Sequence, residues 1–321
     1  MFGSRLRPSP GKFETVRIAH VSDLHVLSPG RFEWRKILFN KRITGYANLL
    51  LHRGRVYRAE YLSAVLDAAA ASADQVVITG DITNLALESE YREARRLIDG
   101  IARRAEVTVV PGNHDIYLTA IQRTHRFPAH FGEFLASDLP EFALQLPAGP
   151  YPCVKFRGPA AIIALSSAVP RPPFVASGRV GKVQLASLAK ILAHPEVRRR
   201  TPVILIHHPP VDDRIRPAQL RDGLVDAAAL RRELAPLARG LVLFGHLHVR
   251  VRCMLKTAAG TLDVIGASGA ALDHADASIR AGFNLYEIDD LGTVVSVGAR
   301  VIDPADLTLQ SAPIAERPGC A

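Results

Sequence analysis

Six short runs of apolar, mostly β-branched residues punctuate the chain: VRIAHVSD (16–23), QVVITGD (75–81), VTVVPGNHD (107–115), AIIALSS (161–167), PVILIHHPP (202–210) and LVLFGHLH (241–248). Each stays apolar over consecutive positions and then turns polar, the pattern of a strand covered on both faces. Between them, apolar positions recur at three- and four-residue spacing over 58–72, 88–105, 182–194 and 226–239, which predicts amphipathic helices there. This alternation implies βαβ units and an α/β domain. After residue 248 the helical pattern stops. Residues 249–255, 262–268, 283–289 and 293–302 read as successive strands, predicting a second, largely antiparallel sheet.

The division into domains follows from the same pattern. Residues 16–303 read as a single domain, residues 1–15 as a disordered tail and residues 304–321 as an irregular one. One stretch interrupts the alternation: RFEWRKILFNKRITGYANLLLHRGRVY (31–57) adds some 25 residues to the first strand-to-helix connection. A connection of that length inside a domain is usually functional, and it reads here as an insertion lying over the site.

Composition narrows the class. In a chain of 321 residues, 48% are apolar, enough for a substantial core and against wholesale disorder. No apolar run reaches the length of a transmembrane helix, and the basic start lacks the apolar core of a secretory signal. Cys153, Cys253 and Cys320 are few and far apart, so neither a disulfide framework nor a thiolate metal site is expected. A reducing compartment follows, and a cytoplasmic location is the expectation, with peripheral contact at a membrane as an option.

The net charge is +9, and 33 of the 40 basic residues are arginine. That excess fits an anionic substrate or an anionic lipid surface, and it fits equally well a sequence simply rich in Ala and Arg. The 31–57 insertion sharpens the question, because residues 31–58 hold eight Lys or Arg against the one acid Glu33, interleaved with Trp34, Phe39, Tyr46 and Leu49–Leu51. Two readings of it stand: a helical lid with its basic face in water, or an amphipathic element that grips an anionic, partly apolar substrate or lies on a membrane. A nucleic-acid partner is not expected. The basic residues are spread over many helices and no aromatic-interleaved groove is recognisable. The oligomeric state is left open.

The polar ends of the apolar runs carry the chemistry. Asp23-x-His25, Gly80-Asp81, Gly112-Asn113-His114-Asp115, His207 and Gly245-His246-x-His248 follow one another in order, each at the end of a strand pattern. Taken singly each fragment is weak, since Asn, Asp and Gly favour turns for local reasons and alternate histidines share a face of any strand. Ligands in open α/β sheets bind beyond the carboxyl ends of the strands, so these five ends can meet on one rim. Together they offer carboxylates, a carboxamide and imidazoles without a competing thiolate, a donor set suited to two divalent ions such as Mn, Fe or Zn. A carboxylate placed between two ions about 3.5–4 Å apart can bridge them, and such a pair activates water as hydroxide and stabilises the attacking and leaving oxygens of a phosphoester.

The pattern D-x-H … G-D … G-N-H-D … H … G-H-x-H resembles that of the calcineurin-like metallophosphoesterase superfamily, over residues 16 to about 290. The resemblance implies a four-layer αββα sandwich of two mixed β-sheets flanked by helices. It also implies a metallophosphoesterase in which Asp23, His25 and His248 hold one metal and Asn113, His207 and His246 the other, with Asp81 bridging. His114 would contact the phosphate and protonate the leaving oxygen, and Asp115 would orient its imidazole. His207 is the better ligand candidate than His208, because His-x-Pro is the usual family form at that strand end. His208 is a supporting candidate. For Asn84, capping the helix near 86–105 competes with contact to substrate, and for Tyr117 packing competes with lining the pocket.

Departures from particular relatives narrow the match. Purple acid phosphatases carry a tyrosine ligand where Asn84 stands, and the lipid A-pathway hydrolases carry arginine at the position of His114. The segments Gly-Asp-x-Thr, Gly-Asn-His-Asp and His-His-Pro-Pro are closest in texture to bacterial class III cyclic-nucleotide phosphodiesterases and glycerophosphodiesterases. The expected function is therefore metal-dependent hydrolysis of a small-molecule phosphoester, a diester above all. A phospholipid or lipid-linked nucleotide pyrophosphate hydrolase acting at a membrane surface stands as the alternative. A nucleic-acid-processing phosphoesterase ranks below both.

Overall fold

The first predicted strand run forms β1 (Val16–Val21), in which every residue but Arg17 is buried. In the computed structural model, which describes residues 13–27, 57–116 and 118–317, β1 pairs in parallel with β2 (Gln75–Ile78), and β2 with β3 (Glu106–Val109). On its other edge β1 meets β12 (Gly282–Ile288), which continues antiparallel through β13 (Val294–Ile302) to β14 (Leu309–Ala312). These six strands make the first sheet. The second has seven: β6 (Cys153–Arg157), β7 (Ala160–Ala164), β8 (Thr201–Leu205), β9 (Leu241–Phe244), β11 (Thr261–Gly266), β10 (Val251–Lys256) and β15 (Ala315–Glu316), in that spatial order. Its β7, β8, β9 and β11 run parallel, while β6 is antiparallel to β7 and β10 to β11. A separate hairpin joins β4 (Leu144–Leu146) to β5 (Gly149–Tyr151).

Side-chain alternation along the strands explains the layering. Ile162, Ala164, Val203, Leu205, Leu241 and Leu243 pack with residues of the first sheet. Their neighbours Ile163, Leu165, Ile204, Ile206 and Val242 instead face Leu188, Ile191, Leu230 and Leu234, which lie on α3 (Lys182–Ala193) and α4 (Ala227–Leu234). Outside the first sheet, α1 (Ala59–Ser72) buries Leu62, Val65, Leu66 and Ala69, a stripe at helical spacing. Beside it, α2 (Glu88–Ala102) buries Tyr91, Ala94, Ile98 and Ile101. Helices, sheet, sheet and helices thus form four layers around two mixed sheets, as the resemblance implied.

Three expectations are corrected. The strands after residue 248 do not form their own sheet: β10 and β11 extend the second sheet and β12 and β13 the first. Residues 304–317 are not irregular, because β14 and β15 add an edge strand to each sheet. The cap at α2 does not come from Asn84. Glu90 accepts the N–H groups of Leu85 (2.8 Å) and Leu87 (3.1 Å), the service that a glutamate in the first turn commonly performs. Among the described residues, no helix is long and apolar enough to cross a membrane. Residues 1–12, most of the 31–57 insertion, Tyr117 and residues 318–321 lie outside the described residues.

Candidate functional site

All five motifs lie just past strand ends. Asp23 and His25 follow β1, Asp81 follows β2, the 112–115 turn follows β3, His207 follows β8, and His246 and His248 follow β9. Backbone bonds lock these loops to one another: Asp23 N–H donates to Gly80 O (3.0 Å), His25 N–H to Asp81 O (2.9 Å) and Gly245 N–H to His207 O (3.1 Å). The backbone itself is under strain here. Asp23, His25, Asp81, His246 and His248 all sit at positive φ, between 44° and 67°, a region that costs a non-glycine residue about 1–3 kcal/mol and clusters at functional sites. Five of the seven predicted ligands share this feature.

Two glycines permit the approach. Gly80 has φ +98°, and a Cβ there would stand 2.6 Å from His207 Nδ1 and 2.7 Å from the Gly112 nitrogen. At Gly112 a Cβ would collide with the Asp81 carboxylate and its backbone nitrogen.

The donor atoms converge. One oxygen or nitrogen each from Asp23, His25, Asp81 and His248 lie within 4.8 Å of one another. His248 Nε2 stands 3.1 Å from Asp23 Oδ1 and 3.2 Å from His25 Nε2. On the far side of Asp81, His207 Nε2 lies 3.5 Å from Asp81 Oδ2 and 3.1 Å from Asn113 Oδ1. His246 Nδ1 lies 3.0 Å from the same Asn113 oxygen. Asp81 therefore faces His25 with Oδ2 at 3.9 Å as well as His207, between the two groups.

The outer ring nitrogens fix the tautomers. His207 donates Nδ1–H to Thr79 O (2.7 Å), His246 donates Nε2–H to Asp222 O (2.7 Å) and His114 donates Nδ1–H to Asn84 O (2.5 Å). With its outer nitrogen so engaged, each ring turns its inner nitrogen toward the site, the arrangement that metal-binding histidines adopt. His248 follows the same rule through a side chain, since Nδ1 lies 3.2 Å from the phenol oxygen of Tyr57. That tyrosine also stacks edge-on against His25, with ring centroids 5.1 Å apart.

His208 belongs to the surroundings and not to the donor set. It lies close enough to His207 and His246 to group with them, but Ser167 Oγ meets its Nδ1 (2.8 Å) and Ala176 O its Nε2 (2.8 Å), so both ring nitrogens are spent. The oxygen of Asn113 completes the geometry around His207 and His246 instead.

Asp115 corrects another expectation. Its carboxylate does not reach the His114 imidazole. It accepts N–H groups from Ile82 (3.1 Å), Thr83 (2.8 Å) and Gly112 (2.9 Å), and the Thr83 hydroxyl (2.9 Å). Asp115 thus staples the loop after β2 to the turn after β3, and the Asn84 carbonyl orients His114. Burial, with the nearby Asp81 charge adding to it, pushes the Asp115 carboxyl up to about 7.

Electrostatics follow the same geometry. Burial opposes ionisation of Asp81, yet the imidazoles of His207 and His114 hold its carboxyl well below the usual range. Burial likewise opposes a charge on His207, but the Asp81 carboxylate wins and lifts it to about 9. His246 goes the other way, down to about 4, through burial and repulsion from His207.

Sequence reasoning missed Tyr57 as a partner of His248, although it fell inside the predicted insertion. It also missed the carbonyls of Thr79, Asn84 and Asp222, which no side-chain motif announces.

Comparisons with known proteins agree with this architecture. A family model described as calcineurin-like phosphoesterase matches residues 16–250. A cAMP/cGMP dual specificity phosphodiesterase of Mycobacterium tuberculosis is 28% identical over 247 residues, covering 70% of this chain and 70% of that protein. Among solved structures, a dimetal phosphatase from Danio rerio aligns with TM-score 0.52 at 14% identity, covering 94% of this chain and 97% of that one. A purple acid phosphatase from yellow lupin aligns with TM-score 0.57 at 12% identity, covering 97% of this chain and 55% of that one. At such identities the two structures show a shared fold.

Proposed function

The chain belongs to the calcineurin-like phosphoesterase family, and from that premise we propose that this metallophosphoesterase is a phosphodiesterase working with two divalent ions. Asp23, His25 and His248 would hold one ion, Asn113, His207 and His246 the other, and Asp81 would be shared. Mn, Fe and Zn all suit this mixed oxygen and nitrogen set. When bound, such a pair of ions supplies an activated hydroxide and Lewis-acid stabilisation of the phosphate oxygens.

One observation carries the reading: acceptors face acceptors. His246 has spent its only ring proton on Asp222, so its Nδ1 lone pair confronts Asn113 Oδ1 at 3.0 Å. Burial and His207 together keep that ring from taking a second proton at neutral pH. Two lone pairs at this distance repel unless a cation stands between them. The buried carboxylates of Asp23 and Asp81 repel each other in the same space and need a positive charge to compensate them.

The chain's own groups then divide the remaining work. His114, held by Asn84 and edge-on to His25 at 4.9 Å, presents Nε2 to the phosphate and can deliver a proton to the departing oxygen. Asn113 positions the phosphate beside it. The preference for diesters is supported by the relative named a cAMP/cGMP dual specificity phosphodiesterase.

The test is a turnover panel in Mn²⁺ that compares a bis-aryl phosphodiester, an aryl monoester, cyclic AMP, a UDP-sugar lipid and a phospholipid. The proposal requires hydrolysis of diesters above the monoester. Monoester hydrolysis alone would contradict it.

A further inference from the structure

Two loops carry exposed apolar side chains beside the metal-facing histidines. Residues 171–178 follow β7 and residues 211–225, which include the short helix Arg216–Asp222, follow β8, and backbone hydrogen bonds join the two near residues 221–225. Ala176 N–H donates to Arg221 O (2.9 Å), Gly178 N–H to Gly223 O (3.0 Å) and Val225 N–H to Gly178 O (3.0 Å). Each loop also reaches the site, through the Ala176 carbonyl on His208 and the Asp222 carbonyl on His246.

Burial runs against apolar character here. Phe174, Ile215, Leu220 and Val225 are 77, 76, 72 and 61% exposed, four of the nine large apolar side chains left open among the described residues. Isolated exposed apolar residues need no explanation, but four of them on two hydrogen-bonded connections next to a reaction site mark an interaction surface.

Arginines are interleaved with them. Arg179 and Arg216 are exposed and make no ion pair among the described residues, and Arg221 leans only on its neighbour Asp222. Arg214 differs, being held between Asp212 (2.7 Å) and Asp222 (2.8 Å) as part of the loop's own structure.

We propose that this rim docks onto an anionic lipid surface and that the substrate is a phosphodiester held at that surface, a refinement that rests on the phosphodiesterase reading above. Aliphatic and aromatic side chains flanked by unpaired arginines match the apolar boundary and anionic headgroups of such a surface. Arginine can keep its guanidinium among the headgroups while its stem lies along the apolar layer. A nucleic acid is a poorer match, because three of the four apolar side chains are aliphatic and offer no ring for a base to stack on.

The experiment uses the full chain with sucrose-loaded vesicles, either pure phosphatidylcholine or one part phosphatidylglycerol to two parts phosphatidylcholine. Two variants, F174S/I215S/L220S and R179Q/R216Q, are compared with the unaltered protein. The unaltered protein should favour the anionic vesicles by about tenfold. The triple substitution should lower partitioning by about tenfold or more, and the arginine pair should lose the preference for anionic vesicles. Both variants should keep full turnover of bis(p-nitrophenyl) phosphate in solution and an unchanged melting temperature. No binding by the unaltered protein, or undiminished binding by the triple variant, would overturn the docking proposal. So would a dimer in sedimentation that the triple substitution dissolves. Failure of the phosphodiesterase reading itself would look different: the unaltered protein would not hydrolyse the soluble diester.

Discussion

His114 donates Nδ1–H to the carbonyl oxygen of Asn84 across 2.5 Å, while its backbone N–H goes to Asp81 Oδ1 at 2.8 Å. The ring is thereby held beside the donor set without joining it. Removing it should spare the metals and slow the reaction. For His114→Ala we expect unchanged metal content by elemental analysis and kcat lower by about 10²–10⁴-fold. Asp81→Ala should do the reverse and cost the bound metal itself. Full activity in either variant would contradict these assignments.

Gly80 matters because it has no side chain. A Cβ there would press on His207 Nδ1 and the Gly112 nitrogen, and its φ of +98° already disfavours any other residue. Gly80→Ala should displace the ring of His207 and break its bond to Thr79. Weaker metal binding and a lower melting temperature are expected together. A variant with normal metal affinity would show that the loops after β2 and β8 can shift apart freely.

Tyr57 reaches His248 from a distant part of the chain. Its backbone pairs with Leu272, and the next residue, Arg58, is tied to Ala271 through N–H (2.8 Å) and to Asp273 through its guanidinium (2.9 Å). Tyr57→Phe keeps the ring and deletes the oxygen that meets His248 Nδ1. Partners of this kind are worth about 10–100-fold in metal affinity, so a Mn²⁺ titration should show a loss within that range at constant stoichiometry. Equal affinity in the variant would mean that packing alone positions His248.

His20 supplies a pH test away from the metals. It is fully buried between Tyr286 OH (3.2 Å) and Thr79 Oγ1 (2.8 Å), and burial, opposed in part by Asp23 and helped to a lesser extent by Arg250, drops its pKa to about 3. Unfolding frees it to take a proton below about pH 6.5, so the folded state holds fewer protons there. Stability is therefore complete above pH 6.5 and is lost as pH falls toward 3, by up to about 1.4 kcal/mol per pH unit from this group. In urea melts between pH 7 and 5, His20→Gln should show a shallower loss of stability than the unaltered protein. Parallel curves would remove His20 from the account.

The sequence exposed the strand ends because buried parallel strands are continuous apolar runs, and their polar termini stand out. It exposed less where function sits in backbone or in distant partners. The Asn84 contribution to His114 comes from its carbonyl, which the identity of the side chain does not encode. Asp115 invites a pairing with His114 by adjacency, yet consecutive residues of the turn point apart, and its carboxylate serves Ile82, Thr83 and Gly112. Tyr57 and His248 lie 191 residues apart, beyond any local pattern. The strands after residue 248 were recognisable one by one, but their division between two sheets depends on pairing with β1 and β9, which periodicity does not report. The short edge strands β14 and β15 lack an apolar signature because they are largely exposed.

The central claim is a shared pair of ions on which hydrolysis depends. Chelator-stripped protein titrated with Mn²⁺, with bound ions and bis(p-nitrophenyl) phosphate turnover read in the same samples, tests it most directly. Two ions per chain are predicted, with activity absent in the stripped protein and rising as the second ion binds. A plateau at one ion, or turnover that survives stripping, would contradict the account.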